Sequence, residues 1–410
     1  MKLNSRSERG QALVIIMLAM VALIGLAGLS IDGGNAYTDR RHAQNAADTA
    51  VLAAALDKVN GSANWQTTGE LRANSNGYYN AGENSVYVYQ CTDANGTTQP
   101  DCNLQPTEDP TEYVAVAIDS HVKTYFAKIV GWQEFENKVK AVAHAIPSTT
   151  QPMFGGSAVA GVAPHECQAV KYQGNAGTTI TGGGIYVNSD CSGDAFKSQS
   201  GAANLTAPSL CSVGGITPNS LNIGTETSPC AQMPMPLEPN PECSGSGSRS
   251  GDTLSAGTFS GQFPPSGVKF LNAGIYCVSG DFRLNGGDSL TSLGSGVVIR
   301  MDSGNVVWNG GAVINLYAPT TGPFKGLLLF MPCNNPDQNI SLNGSSSSTI
   351  KGSIVGMCAD ASWEGNNGTV LNGQLVGYTV TINGTSNNTI TYDNQYNFDA
   401  TYPPQIELNK

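Results

Sequence analysis

Residues 12–31 read ALVIIMLAMVALIGLAGLSI, twenty positions without a charge. At about 1.5 Å rise per residue, a helix of that length matches the roughly 30 Å hydrocarbon layer of a bilayer. Lys2, Arg6 and Arg9 precede the run and Asp32 is the first charge after it. The positive-inside rule therefore predicts a single pass, with the N-terminus in the cytoplasm and everything beyond Ile31 outside. A cleaved secretory signal would have a shorter apolar region, of about 7 to 15 residues, ending in an Ala-x-Ala-like site. The end of this run, Leu26-Ala27-Gly28-Leu29-Ser30-Ile31, has no such site, so a retained anchor is expected. The same residues also suit a helix packed in a filament core.

Outward from the run, Asp32-Gly33-Gly34 reads as a break. Beyond it Ala43, Ala46, Ala47, Ala50, Val51 and Ala54 fall on one face of a helix, small enough for close packing, and helix partners are expected there. Residues 86–89 and 113–118 read as strands. Val122, Tyr125, Phe126 and Ile129 give a short helical face, and a further strand is expected over about 135–146. Together these predict a small α+β domain, with the polar stretch from Cys91 to Thr111 as a loop.

The combination Arg9-Gly10-Gln11-Ala12-Leu13-Val14, apolar helix, Ile31-Asp32-Gly33-Gly34, and then residues 40–55, RRHAQNAADTAVLAAA, resembles the N-terminal region of TadE/TadG-like proteins of tight-adherence (Flp/Tad) pilus systems. The resemblance covers about the first sixty residues. It implies a bacterial cytoplasmic-membrane or cell-surface protein, with other pilus components or identical subunits as partners. Two departures matter. Ile15 stands where a peptidase-processed, pilin-like relative would carry Glu, which argues against cleavage after Gly10. The Asp-x-Ser-x-Ser motif of a metal-ion adhesion domain is absent.

From about Gly155 the chain changes character. Leu284-Asn285-Gly286, Trp308-Asn309-Gly310, Leu342-Asn343-Gly344, Leu371-Asn372-Gly373 and Ile382-Asn383-Gly384 recur between short apolar runs. Asn-Gly readily accepts a tight turn, and strand-rich repeats of about 20 to 35 residues are the sign of a solenoid. The fold expected is multidomain: a transmembrane or long α-helix (1–31), an Ala-rich helix with a small α+β domain (32–148), a mainly-β, right-handed β-helix-like solenoid (149–400) and a C-terminal tail (401–410). An antiparallel sandwich with Asn-Gly hairpins is the competing architecture. Residues 217–252, rich in Pro, Gly and Ser, read as a long loop packed outside the solenoid.

Ten cysteines occur, all beyond residue 90, with no Cys-x-x-Cys pair. The even count predicts disulfides and an oxidising compartment. Joining Cys91 to Cys102, Cys167 to Cys191, Cys211 to Cys230, Cys243 to Cys277 and Cys333 to Cys358 closes the shortest loops, although sequence does not determine connectivity. With a net charge of −11 and no basic run beyond Arg40-Arg41, nucleic acid is not an expected partner.

No catalytic, phosphate-binding or dinucleotide motif is present, and His42, His121, His144 and His165 are dispersed. No metal or cofactor is expected, and the reading is a non-catalytic structural or adhesive protein. The enzyme alternative is a β-helix that binds or cleaves surface polysaccharide, with Asp281, Arg283, Asp288, Arg300 and Asp302 clustered across adjacent coils. Asn60, Asn95, Asn204, Asn339, Asn343, Asn367, Asn383 and Asn387 stand in Asn-x-Ser/Thr contexts, an acceptor pattern for glycosylation.

Overall fold

A computed structural model describes residues 8–81, 84–92, 96–199, 204–219, 221–334, 338–365, 370–384 and 388–409. These fall into two compact units, Met1–Thr149 with Pro403–Lys410, and Thr150–Tyr402. The second is thus inserted in sequence into the first.

In the first unit, helix α1 (Glu8–Val59) is 52 residues long and passes through Gly33-Gly34 without the expected break. A glycine costs a helix about 1 kcal/mol relative to alanine. Propagation from both sides carries such a cost, because each further residue adds a hydrogen bond without a new nucleus. A second helix, α2 (Trp65–Ser75), packs on α1, with Gly69 set against Val88 and Ala54. Strands β1 (Ser85–Gln90), β2 (Tyr113–Lys123) and β3 (Glu134–Ile146) form an antiparallel sheet. Period-two alternation turns Val86 and Val88, Val114, Val116 and Ile118, and Val139, Ala141 and Ala143 into the core against α1.

Two local expectations change. The helical face over Val122–Ile129 is instead the end of β2 followed by a 3₁₀ turn, Ala127–Val130. The C-terminal tail is not a tail either: Gln405–Asn409 pairs antiparallel with β3, Gln405 opposite Ile146, and completes a four-stranded sheet.

The second unit is mostly β, and its three long ladders are parallel. On one face Tyr276, Ile299, Leu329, Ile354, Leu375, Val159 and Ile185 lie in register, each a turn of chain from the next except at the Leu375–Val159 step. On another, Leu284, Trp308, Leu342, Trp363, Ile382 and Tyr172 do the same. The third carries Leu316, Ile350, Leu371, Ile390 and Ile180. All of these side chains are buried, so identical inward positions stack into one core. Four of the Asn-Gly triplets follow the second of these faces. There Asn309 donates to Asn285 and Asn383 donates to Glu364, while the positive φ falls on the next glycines, Gly287 and Gly311.

The stack does not follow the chain from end to end. Val159–Gly161, Val170–Gly174 and Thr178–Thr181, early in the unit, pair in parallel with the late strands Leu375–Gly377, Val380–Gly384 and Asn388–Thr391. The chain therefore enters mid-stack, runs out to one end at Leu221–Thr227, and must return to the other end at Thr253–Ser255 before filling the remainder. Residues 228–247 make that return as a strap. Cys230 is bonded to Cys211, the Met233 N–H donates to Tyr186 Oη, Glu238 accepts from the Cys333 N–H, Arg300 donates to the Pro241 carbonyl, Cys243 is bonded to Cys277, and Ser246 bridges Thr258.

Those anchor points lie on or beside one in-register row, Cys211, Tyr186, Ala160, Val376, Val355, Phe330, Arg300, Cys277 and Thr258. At about 4.8 Å per strand the row spans about 38 Å. The strap from Cys230 to Ser246 reaches about 50 Å in polyproline geometry, so it has to run extended. Pro234, Pro236, Pro239 and Pro241 suit that course, since they pre-set φ and bring no N–H that would need a partner. The strap, with Met153, Phe154 and Phe398–Tyr402, also covers the outer side of this face. Burial on both sides explains its unbroken apolar strands, such as Leu327–Phe330.

Replacing Cys243 and Cys277 together by Ser should lower stability by about 3 to 4 kcal/mol on a loop-closure argument. It should also open Glu238 and Glu242 to a glutamate-specific protease under conditions where the native chain stays intact. Equal resistance of both proteins would contradict the strap's anchoring.

Candidate functional site

The surface that distinguishes this chain is α1. Over its first half the large side chains from Leu13 to Ile31 are about half to two-thirds exposed and apolar on every side, and the helix is long and apolar enough to cross a membrane. A helix without a polar face suits lipid rather than water. The span anchors the protein to a membrane.

The second half is a built-in element of the first unit. Ala43, Ala46, Ala47, Ala50, Val51 and Ala54 are all buried, and they meet β1 to β3 and α2 of the same chain. The face expected to meet helix partners is therefore occupied by the chain's own sheet. The reason is steric: alanine lets the helix axis approach a sheet whose own core residues include Ala141, Ala143 and Ala145.

Two carboxylates set the transition between the halves, seven residues apart and so on the same face of the helix. Asp32 is buried. Its oxygens accept from the backbone N–H groups of Tyr125 (3.0 Å), Phe126 (2.8 Å) and Ala127 (2.7 Å), capping the 3₁₀ turn from outside it. Burial by itself would raise the Asp32 pKa, but the bonds from Ala127, Tyr125 and Phe126 outweigh it and hold the carboxyl below its ordinary value. Asp39 accepts from Tyr78 Oη, Ser120 Oγ and Asn137 Nδ2. Burial and then the bond to Asp39 push the Tyr78 hydroxyl well above its usual range. Neither acid stands out in the sequence as an anchor. The available signal is their alignment, by helical period, with Ala43, Ala46 and Ala50.

The candidate enzyme residues of the second unit are brought together in local pairs, with Arg283 4.0 Å from Asp281. Arg300 pairs with Asp302 at 2.7 Å and is held by the Pro241 carbonyl of the strap, beside a cavity of about 320 Å³. Arg283 and Asp288 line a different cavity, of about 140 Å³. There Asp288 accepts from the Asn285 N–H within its turn. Asp281 accepts from the Asn305 N–H. The five residues thus hold turns, a strap and a neighbouring strand.

His121, His144 and His165 each meet a carboxylate, Glu134, Glu112 and Asp190 respectively, at 2.9 to 3.0 Å, and His42 is exposed. Among the described residues two groups with metal-ligand proximity, Cys167/Cys191/Asp194 and Glu238/Cys333/Cys358, each contain a disulfide, which leaves one carboxylate and no thiolate. All ten cysteines are paired, in the pairs that close the shortest loops. Of the sequons, Asn60, Asn204 and Asn339 are exposed and Asn343 and Asn383 half-buried. Asn95, Asn367 and Asn387 lie outside the described residues.

Residues 10–57 match the family model described as a putative Flp pilus-assembly TadE/G-like domain, and the match coincides with α1 almost from end to end. No curated protein and no solved structure gave a match.

Because the folded-state pKa of Asp32 is lowered, its contribution is complete above the ordinary carboxylate range and is lost as pH falls through the lowered value. Asp32→Asn, which cannot accept as the full carboxylate does, should melt at a lower temperature at pH 7. Its disadvantage should shrink as pH falls below about 3.8, the ordinary value. A pH-independent difference in thermal melts of the detergent-solubilised proteins would contradict this role.

Proposed function

We propose, starting from the TadE/G-like domain at residues 10–57, that this chain is a non-catalytic structural or adhesive component of a Tad-type pilus system, anchored or built into a filament through α1. The observation that carries the reading is the division of α1 itself: an all-apolar half suited to lipid or a filament core, continuous with a half that belongs to a folded domain. Lys2, Arg6 and Arg9 before the span and Asp32 after it favour the N-terminus inside the cytoplasmic membrane and the bulk outside. Five disulfides favour the same side, because the cytosol keeps thiols reduced.

The outer module is then a β-helix-like solenoid. Three parallel ladders whose members are one turn of chain apart, save for the one step in each where early strands meet late ones, favour that architecture, and right-handedness follows from the strong preference of parallel crossovers. Since one face is covered by the strap and its neighbours, the two remaining faces are the surfaces for adhesion or for neighbouring subunits. The absence of a catalytic motif, and the tying of Asp281, Asp288 and Asp302 into turns and ion pairs, favour a structural role over polysaccharide cleavage.

Protease treatment of intact cells should remove the solenoid and leave a membrane-bound N-terminal fragment. Material sheared from the surface and imaged by electron microscopy should contain the chain if it is a filament subunit and lack it if it is an isolated anchor. Protection of the solenoid in intact cells would overturn the topology. Turnover of surface polysaccharide by the purified protein, lost in Asp281→Ala or Asp302→Ala, would overturn the non-catalytic reading.

A further inference from the structure

The turn between β2 and β3 carries an apolar surface that the first unit leaves open. Tyr125 is 72% exposed, Ile129 84% and Trp132 62%, with Phe126 at 40%. A monomeric soluble domain rarely gathers four such side chains within eight residues. The turn is also well formed. Its neck is closed by the Thr124 N–H donating to the Gln133 carbonyl and by Thr124 Oγ1 to the Trp132 carbonyl, and the Trp132 N–H returns to Ala127. The exposure is therefore built in by hydrogen bonding.

Its position gives it meaning. Asp32, the first residue past the apolar span, holds the N–H groups of Tyr125, Phe126 and Ala127. Phe126 lies against Gly28 so closely that a Cβ there would sit 2.5 Å from its ring. Gly28 is three residues before the end of the span, about 4.5 Å along the axis. The aromatic cluster is thereby fixed level with the last turn of the span, where aromatic belts lie and where interfacial segments bury about 5 to 10 Å deep. Between residues 122 and 133 the only charges are Lys123 and Lys128, both exposed, and there is no acid. Ammonium groups on long stems suit an apolar surface entering a phosphate-bearing headgroup layer.

We propose that the 125–132 turn is a second membrane contact, a wedge that enters the headgroup and upper acyl region of the lipid beside α1 and holds the first unit against the bilayer. The inference rests on the reading of residues 12–31 as a lipid-embedded span.

The test uses the full-length protein reconstituted in phosphatidylcholine vesicles, with and without bromine at acyl positions 6 and 7. Bromolipid should quench part of the tryptophan emission, and Trp132→Phe should abolish that part, since Trp308 and Trp363 are buried in the second unit and Trp65 follows the end of α1 at Val59, about 42 Å along the helix from Ile31. Ile129→Trp should add a further quenched component. Protein that floats with the vesicles while its quenching is absent or unchanged in Trp132→Phe would overturn the wedge and leave the anchor standing. Protein that fails to float would overturn both. A Trp132 shielded from bromolipid and from aqueous acrylamide alike would mean that a neighbouring chain covers the turn, which also overturns the proposal.

Discussion

A single helix that must satisfy two surroundings is the constraint on which the rest of this structure depends. For its first half α1 is apolar all round and gains nothing from water; for its second half it offers a narrow alanine face to a sheet. Asp32 stands where one requirement gives way to the other. Its three accepted hydrogen bonds satisfy a buried carboxylate and the start of a 3₁₀ turn together. Asp39, two helical turns on, repeats the device against Tyr78, Ser120 and Asn137. Beyond Asp39 alanine takes over the buried face, and polar bonds such as Gln44 to the Lys140 carbonyl flank it. Buried hydrogen bonds and alanine packing thereby join the sheet of the first unit to α1 just past its apolar half.

The second unit meets a different constraint, that of a stack which the chain enters in its middle. Pairing of Val159–Gly161 with Leu375–Gly377 fills the central step, but it obliges some segment to run back along the whole stack. The prolines between Cys230 and Cys243 make that segment stiff and short of donors, and a disulfide at each end holds it down. Covering Tyr186, Phe330 and Val355 from outside, it joins with the inner core to bury one ladder on both sides. The corners rely on Asn and Gly: Asn309 donates to Asn285 from one turn to the next, and Gly287 and Gly311 take the positive φ of the bend.

Much of this was legible in the sequence, for local reasons. The span, the alanine period from Ala43 to Ala54, and the recurring Asn-Gly corners are patterns within a few residues of themselves. The shortest-loop cysteine pairs became readable for the same reason, since each bond closes a short excursion. What stayed hidden involves distant partners. Gly33-Gly34 looked like a break because the support for a continuous helix comes from residues 125–127, and Tyr125 to Ile129 looked helical because their cap, Asp32, lies almost a hundred residues away. Gln405–Asn409 looked like a tail because its partner is β3. The mid-stack entry leaves no local trace at all, and sequence does not show which face or turn Asp281, Asp288 and Asp302 occupy, so their pairing with Arg283, the Asn285 N–H and Arg300 emerged only in the fold.

The claim most in need of measurement is that α1 crosses from membrane to domain as one uninterrupted helix. Hydrogen–deuterium exchange of the full-length protein in lipid nanodiscs reads this directly, residue segment by segment. The account predicts slow exchange running without interruption from the apolar span through Gly33-Gly34 to about Val59. A fast-exchanging gap at residues 32–35, flanked by two protected stretches, would mean two helices joined by a hinge, and would contradict it.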